Sequence, residues 1–139
     1  MTLAIALLRA VNVAGRTLKM ADLVTLAEDL GFEQPRTLLQ SGNLVFGTAE
    51  TPDAGLERRL EAEAAARFGF EVDFIVRSGV EWRDVIANNP FGDAARDDPS
   101  HLLVIPLKAA PPDGALEELR AAITGSETAA LSGRAAYVV

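Results

Sequence analysis

The sequence has no cysteine, and it has one histidine, one tryptophan and one tyrosine among 139 residues. Without cysteine the chain can form no disulfide, thiolate nucleophile or zinc–thiolate site, which favours a cytoplasmic protein. Aromatic residues make up 6% of the chain, and the first apolar segment, residues 3–8, contains none. An RNA-binding sheet that stacks bases on exposed aromatics is therefore not expected.

Basic charge is also scarce. The net charge is −7, which argues against broad binding to nucleic acid. The charge is uneven, however, because residues 1–20 carry Arg9, Arg16 and Lys19 and no acid, whereas the remainder holds ten basic and twenty acidic side chains. This asymmetry has two interpretations: local fluctuation in a short window, or an anion-seeking patch near the N-terminus.

Long apolar runs and the common phosphate-binding motifs are absent as well. The first apolar run stops at Arg9, so it is too short to span a membrane, and it lacks the basic leader and cleavage site of a signal peptide. Neither G-x-x-x-x-G-K-[ST] nor G-x-G-x-x-G occurs, which argues against nucleotide binding by either device. We predict no membrane attachment.

The apolar pattern predicts an α+β fold with two halves. In residues 1–77 a strand buried on both faces (3–8) precedes a helix from Met20 to a glycine stop, a hairpin, a helix over 51–68 and a strand over 72–76. This β-α-β-β-α-β order is the ferredoxin-like pattern. Residues 78–139 form a second, smaller α+β half that we expect to pack against the first.

The second half has its own signals. Ser78 and Glu81 fit a capping box, which predicts a helix that ends at Asn89-Pro90. Residues 91–100 are polar and predict a loop, and 101–107 predict an edge strand because Pro106 cannot donate a ladder hydrogen bond. A helix then follows the prolines at 111–112, and a hairpin over 128–139 turns at 132–134.

The hairpin of the first half, residues 37–46, carries the polar side chains of greatest interest. Ser41-Gly42 predicts a two-residue loop, in which Gln40 faces Asn43 and Leu38 faces Val45. Apolar pairs then lie on both faces of the hairpin. We therefore expect both faces to be at least partly covered.

The ferredoxin-like order also predicts where a site would form. Its first and third strands are antiparallel neighbours, so the end of the first strand lies beside the start of the third, close to the N-terminus of the first helix. Helix N-termini favour anions. We predict a pocket here for a small molecule that bears a phosphate or carboxylate. Its candidate residues are Arg9, Asn12, Arg16, Lys19, Gln40, Ser41 and Asn43. The alternative is that Gln40, Ser41 and Asn43 only satisfy backbone groups of the turn.

Other polar residues give weaker indications. His101 opens an apolar strand and favours a structural role over a metal site or a nucleophile–histidine arrangement. Asp93, Asp97 and Asp98 with Arg96 are typical of a solvated loop, the alternative being a cation site with oxygen ligands. No metal or cofactor is predicted. Trp82 is expected to be a core or interface aromatic.

Several motifs together carry a family resemblance. They are Leu7-Leu8-Arg9-Ala10-Val11-Asn12-Val13-Ala14-Gly15, Lys19-Met20-Ala21-Asp22-Leu23, Gly31-Phe32, the segment from Thr37 to Phe46 with Gln40-Ser41-Gly42-Asn43, and Asn89-Pro90-Phe91. In this order, along the whole chain, the sequence resembles the bacterial family catalogued as domain of unknown function 1697. The resemblance implies two α+β halves, the first ferredoxin-like, in a cytoplasmic protein. It implies no established activity.

The chain departs from the family pattern in two places. Ala10 and Ala14 stand where the family usually has glycine, and their methyl groups would hinder a close approach of backbone to a ligand. Members also usually continue past the strand that contains Tyr137 into a helical tail, whereas this sequence ends at Val139. If a helix normally covers the second half, we expect an apolar face there that a partner subunit could cover.

Three functions stay open at this point. The first is a small-molecule or anion-binding protein without catalysis, favoured by the lack of cysteine and of an acid–base pair near the cluster. The second is an enzyme in which Arg9, Asn12 and Gln40 hold a phosphorylated or acyl substrate; an ordered acid within hydrogen-bond reach would favour it. The third is a homodimeric interaction module that works through exposed strand edges or the uncovered second half.

Overall fold

The computed structural model describes residues 1–9, 17–38 and 42–139. The chain divides into two compact units, Met1–Trp82 and Arg83–Val139. Each unit contains an antiparallel sheet and helices, which confirms the predicted α+β class. The helix over Gly79–Ala87 runs across the division between the units.

The first unit is a four-stranded antiparallel sheet with two helices. Its elements follow the predicted β-α-β-β-α-β order, and its strands lie in the order β2-β3-β1-β4. Strands β1 and β3 are therefore central, while β2 and β4 form the edges. The elements are β1 (Thr2–Arg9), α1 (Met20–Asp29), β2 (Glu33–Leu38), β3 (Asn43–Thr48), α2 (Ala54–Phe68) and β4 (Asp73–Ser78).

The core of this unit lies on one face of the sheet. Alternate residues of β1 (Ala4, Ala6 and Leu8) are buried, as the period of two along a strand requires. They share one cluster with buried leucines of both helices and with Phe46, whose ring stacks on that of Phe32 at 4.3 Å. The buried leucines are Leu23 and Leu26 of α1 and Leu56 and Leu60 of α2.

The register of the hairpin differs from the predicted one. Leu38, not Gln40, pairs with Asn43, and Thr37 pairs with Leu44. The predicted register is therefore wrong by two residues. The Asn43 side chain also donates to the Leu38 carbonyl at 3.0 Å, at the base of the hairpin. A shift of two residues keeps every side chain on its own face, so the apolar pattern is compatible with both registers.

The expectation that both faces of the hairpin are covered fails on β2. Leu38 is 63% exposed, and Arg36 is also exposed. Strand β2 is an edge strand, and its pairing with β3 is irregular between Glu33 and Arg36. The apolar residue at the end of this edge strand therefore faces solvent.

The second unit contains a three-stranded antiparallel sheet in the order β5-β7-β6. The predicted closing hairpin is present, with Ser132 paired to Ala135 and a two-residue turn at Gly133-Arg134. The predicted edge strand is β5, and it starts two residues later than expected. The elements are α3 (Gly79–Ala87), α4 (Gly92–Asp97), a 3₁₀ turn (Pro99–His101), β5 (Leu103–Pro106), α5 (Ala115–Ala122), β6 (Ala129–Ser132) and β7 (Ala135–Val138).

Two local predictions for residues 78–100 had different outcomes. The capping box is confirmed, since the Ser78 N–H donates to Glu81 and the Glu81 N–H donates to the Ser78 hydroxyl, both at 3.0 Å. The loop predicted over 91–100 is wrong, because α4 and the 3₁₀ turn occupy most of it. A six-residue polar helix leaves too little periodicity to detect in a sequence.

The described parts of the chain contain no helix that is both long and apolar enough to cross a membrane.

Candidate functional site

The end of β1 and the base of the hairpin lie side by side. Leu7 is paired with Asn43 across the β1–β3 ladder, and the Leu8 N–H donates to the Gly42 carbonyl at 2.9 Å. This bond extends the ladder one step beyond the strand assignment of β3. Gly42 has a φ of 89°, a left-handed conformation that glycine adopts without strain. The predicted neighbourhood of Arg9 and Asn43 therefore exists at this end of the sheet.

Arg9 has an acidic partner that the sequence reading did not identify. It pairs with Asp73 in the register of β1 and β4, and its Nη2 donates to Asp73 Oδ2 at 2.6 Å. The two side chains keep 61% and 53% of their surface exposed. Because the first and last strands of this topology run antiparallel, the start of β4 must lie opposite the end of β1. Strand order alone does not identify this pair, because it also requires the register of β1 against β4.

The side chain of Asn43 has a structural role in the hairpin. Its side-chain amide donates to the Leu38 carbonyl at the base of the hairpin, and the residue is half-buried. This observation supports, for Asn43, the alternative that polar residues of the hairpin satisfy backbone groups. A role in ligand binding would have to use the remaining hydrogen-bonding capacity of the amide.

Lys19 stands at the residue that precedes α1. Its backbone is extended (φ −77°, ψ 137°), its side chain is exposed, and its carbonyl accepts hydrogen bonds from the N–H groups of Asp22 and Leu23. The buried Leu18 beside it anchors this start of the helix. The structure thus brings Arg9 and Asn43 together on neighbouring strands and places Lys19 at the entry to the first helix.

Four predicted site residues, Asn12, Arg16, Gln40 and Ser41, lie outside the described residues. The two alanines at positions 10 and 14 lie outside them as well. Their part in a site stays a prediction from the sequence. The described predicted residues are therefore Arg9 at the end of β1, Lys19 before α1 and Asn43 at the base of the hairpin, with Asp73 at the start of β4 beside Arg9.

An open depression of about 340 Å³ adjoins Asp73 on the side of α2. It is lined by three acidic residues, Glu61, Glu71 and Asp73, besides Ala62, Ala65 and Val72. Carboxylates repel anions, so this depression does not suit a phosphate or carboxylate ligand. An anion at this end of the sheet would instead approach the guanidinium of Arg9.

His101 lies in the 3₁₀ turn before β5, not in the strand as predicted. Its Nδ1 is 2.8 Å from Asp98 Oδ1, and its side chain is 77% exposed. The hydrogen bond with Asp98 raises the pKa of His101, and the hydrogen bond with His101 lowers the pKa of Asp98. Both partners belong to one exposed turn, so the pair is a local contact between side chains of that turn.

The acidic segment before this turn forms its own ion pairs. Arg96 donates to Asp93 at 2.8 Å and to Asp97 at 3.2 Å, and all three side chains are exposed, as expected for a solvated segment. In residues 1–9, 17–38 and 42–139, no group of three or more histidine, aspartate or glutamate side chains could hold a metal ion.

These observations define an α+β protein whose polar candidate site lies at one end of an antiparallel sheet. The model of the family described as protein of unknown function (DUF1697) matches residues 1–137. The chain therefore belongs to that family, as its motifs indicated.

A solved structure supports the fold. The chain is similar to the conserved bacterial protein SP0830 from Streptococcus pneumoniae, with a TM-score of 0.83 and 21% sequence identity. The match covers 99% of this chain and 76% of the other. At this identity the likeness shows the fold alone. A comparison with curated proteins found no match.

Proposed function

We propose that this protein binds a small molecule with an anionic group, at the end of β1 beside the base of the hairpin. The observation that carries the proposal is the exposed Arg9 guanidinium, at the end of a central strand whose Leu7 pairs with Asn43. A guanidinium presents five N–H donors in a fixed plane, which suits a phosphate or carboxylate. The ferredoxin-like strand order supports the placement, and a cytoplasmic location, supported by the cysteine-free sequence, belongs to the same proposal.

The carboxylate of Asp73 determines which anionic ligands can bind to Arg9. It competes for Arg9, because the same guanidinium donates to it at 2.6 Å. A simple anion must bind against the repulsion of this carboxylate, whereas a ligand that also carries hydrogen-bond donors can use Asp73 as an acceptor. The site therefore favours small molecules that combine an acidic group with hydroxyl or amino groups over inorganic anions.

A thermal-shift screen tests the proposal. The wild type is heated with sugar phosphates, nucleotides and small carboxylates, and each hit is repeated with the double variant Arg9→Ala/Asn43→Ala. A ligand at 100 times its dissociation constant adds about 2.7 kcal/mol to the free energy of unfolding. We expect a hit that the double variant loses. Arg58→Ala is the matched control, because it removes an exposed arginine of α2 and should keep the shift.

Asp73→Asn sharpens the same test. The asparagine removes the competing charge, so this variant should bind inorganic phosphate more tightly than the wild type does. Equal phosphate binding by the wild type, Asp73→Asn and Arg9→Ala would contradict a site at Arg9. A screen in which every hit survives the double variant would contradict it as well.

One observation, the position of Asp73, supports the alternative that the protein is an enzyme. Asp73 is an ordered acid within hydrogen-bond reach of Arg9, and such an acid was the missing component of an enzyme that acts on a phosphorylated or acyl substrate. In this alternative Arg9 would orient the acidic group of the substrate, and Asp73 would accept a proton. Turnover of a screened ligand that Asp73→Asn abolishes, without loss of ligand binding, would distinguish an enzyme from a binding protein.

The interaction-module alternative is supported by exposed apolar residues of the second unit. Leu103 and Ile105 are 60% and 42% exposed, and they alternate along the edge strand β5. Isolated exposed leucines are common on protein surfaces, but two on one edge strand form a surface that a homodimer could bury. Sedimentation of the wild type and of Ile105→Asp would test this alternative, since a β5 dimer should dissociate in the variant.

A further inference from the structure

Strand β4 is an edge of the first sheet, yet its outer backbone groups are hydrogen-bonded. An edge strand normally presents alternate N–H groups that can pair with another strand. In β4 these are the N–H groups of Phe74, Val76 and Ser78, which point away from β1. Each of the three donates to a glutamate side chain.

Two of these glutamates belong to α2. The Val76 N–H donates to Glu57 Oε2 at 2.7 Å, and the Phe74 N–H donates to Glu61 Oε2 at 3.0 Å. Side chains four residues apart on a helix are separated by about 6 Å along its axis. Alternate N–H groups of a strand are separated by roughly 6.6–6.8 Å. This near match lets the pair Glu57 and Glu61 contact two successive outward N–H groups.

The third glutamate comes from the capping box. Glu81 accepts from the Ser78 N–H at 3.0 Å, one step further along the same edge. The outward carbonyl of Val76 is occupied too, because Arg77 Nη1 donates to it at 3.0 Å. Arg77 and Glu57 are both buried, with 3.8 Å between Arg77 Nη1 and Glu57 Oε2. Side chains thus occupy all three outward N–H groups of β4 and the Val76 carbonyl.

We propose that Glu57, Glu61 and Glu81 form an edge guard that prevents β4 from pairing with β4 of a second copy of this chain. The sequence of β4 makes such a guard necessary. Phe74-Ile75-Val76 is an apolar, β-branched and aromatic run, which is the composition of segments that add to sheets. Antiparallel pairing of β4 with its own copy would satisfy two-fold symmetry, so the second copy is the first competitor for these N–H groups.

The other edge of the same sheet is protected in a different manner. Strand β2 contains Pro35, which cannot donate to a ladder, and its pairing is irregular between Glu33 and Arg36. Gln34 has a φ of 47° at this irregularity. Strand β4 has no proline and no such shift in its pairing with β1. Its edge is therefore protected by side chains, whereas the edge at β2 is protected by an irregular backbone.

Amide hydrogen exchange of Phe74, measured by NMR, tests the hydrogen-bonding part of the proposal. Glu61→Ala removes the acceptor and should accelerate exchange of this amide about tenfold or more, since a bond to a carboxylate is stronger than a neutral one. Glu61→Gln keeps an acceptor oxygen and should show a smaller change. Glu63→Ala, an exposed glutamate of the same helix, should leave the rate unchanged. Equal rates in all four proteins would overturn the proposal.

Sedimentation velocity tests the effect on association. Glu61→Ala/Glu81→Ala should self-associate at lower protein concentration than the wild type, Glu61→Gln/Glu81→Gln or Glu63→Ala. If the double variant is unfolded by circular dichroism, Glu61→Ala alone is compared with Glu61→Gln. A folded alanine variant with a fast-exchanging Phe74 amide and the association of the wild type would overturn the guard.

Discussion

The hydroxyl of Tyr137 is the polar end of a buried side chain of the second unit. It donates to the Val85 carbonyl at 2.6 Å, and the residue has no exposed surface. Tyr137→Phe would leave this carbonyl without its partner at almost unchanged volume. We expect a loss of about 1 kcal/mol in the free energy of unfolding, measured by urea denaturation near neutral pH.

The same residue predicts an alkaline limit of stability. Burial raises the pKa of Tyr137 above its usual value of 10.0. The folded state therefore holds this proton more tightly than the unfolded state does. The protonated side chain contributes fully to the free energy of unfolding below pH 10, and this contribution is lost as pH rises through the raised pKa. The stability of Tyr137→Phe should fall less steeply than that of the wild type above pH 10. Parallel curves would contradict the assignment.

His101 and Asp98 predict a pH window for their exposed turn. The pKa of His101 is raised from 6.5 and that of Asp98 is lowered from 3.8, each first of all by their mutual hydrogen bond. Both side chains of the pair are therefore charged between about pH 3.8 and 6.5. The pair weakens as pH rises through the raised His101 pKa or falls through the lowered Asp98 pKa. An NMR titration of His101 should show a lower pKa in Asp98→Asn than in the wild type.

At the scale of elements, α2 depends on a defined cap. The Asp53 carboxylate accepts from the N–H groups of Gly55 and Leu56 at 2.9 and 3.2 Å. Asp53→Ala removes both bonds and should lower the free energy of unfolding by about 1 kcal/mol, whereas Asp53→Asn keeps an acceptor and should lose less. Thermal denaturation of the three proteins measures the difference. Equal losses of stability in the two variants would show that the side-chain oxygen at position 53 does not cap α2.

The elements also show which structural features the sequence could predict. Helices α1 and α2 are long enough for their apolar spacing and glycine stops to be visible. The continuous apolar run of β1 predicted burial on both faces, whereas only the face with Ala4, Ala6 and Leu8 is buried and Leu3 is 47% exposed. The hairpin register was missed because Leu38 and Thr37 keep the same faces in both registers. The contact from the Asn43 side chain to the Leu38 carbonyl leaves no trace in the hydropathy pattern.

The sequence indicated some residues at this end of the sheet and missed others, depending on whether strand order alone places them. Arg9 and Asn43 follow from strand order alone, because antiparallel neighbours place the end of one beside the start of the other. Asp73 needs the β1–β4 register as well, and this register joins residues 64 positions apart. Long-range pairs of this kind leave no local signal, which is also why the contacts of Glu57 and Glu61 with β4 were missed, whereas the local capping box of Glu81 was predicted.

At the scale of the whole molecule, the two units differ in the size of their buried side chains. The core cluster of the first unit contains Leu23, Leu60 and Phe74, all without exposed surface. The fully described second unit buries small residues, Ala129, Ala135 and Ala136, beside Tyr137. We therefore expect the stability of the chain to be more sensitive to truncation in the first unit.

A pair of leucine variants measures this difference. Leu60→Ala opens a cavity in the first core and should cost about 2–5 kcal/mol. Leu119→Ala truncates a half-buried side chain of α5 and should cost about 1 kcal/mol. Urea denaturation of both variants gives the comparison. A larger loss for Leu119→Ala would show that the second unit holds more of the core than its buried side chains indicate.

We propose above all that an anionic group binds to Arg9 at the end of β1. The most direct measurement is an NMR titration of ¹⁵N-labelled Asp73→Asn with inorganic phosphate, because this variant presents Arg9 without its competing carboxylate. We predict saturable shifts of the Leu8, Arg9, Gly42 and Asn43 amides, weaker shifts in the wild type, and none after Arg9→Ala is added to Asp73→Asn. Shifts that are absent, or that persist without Arg9, would contradict the claim.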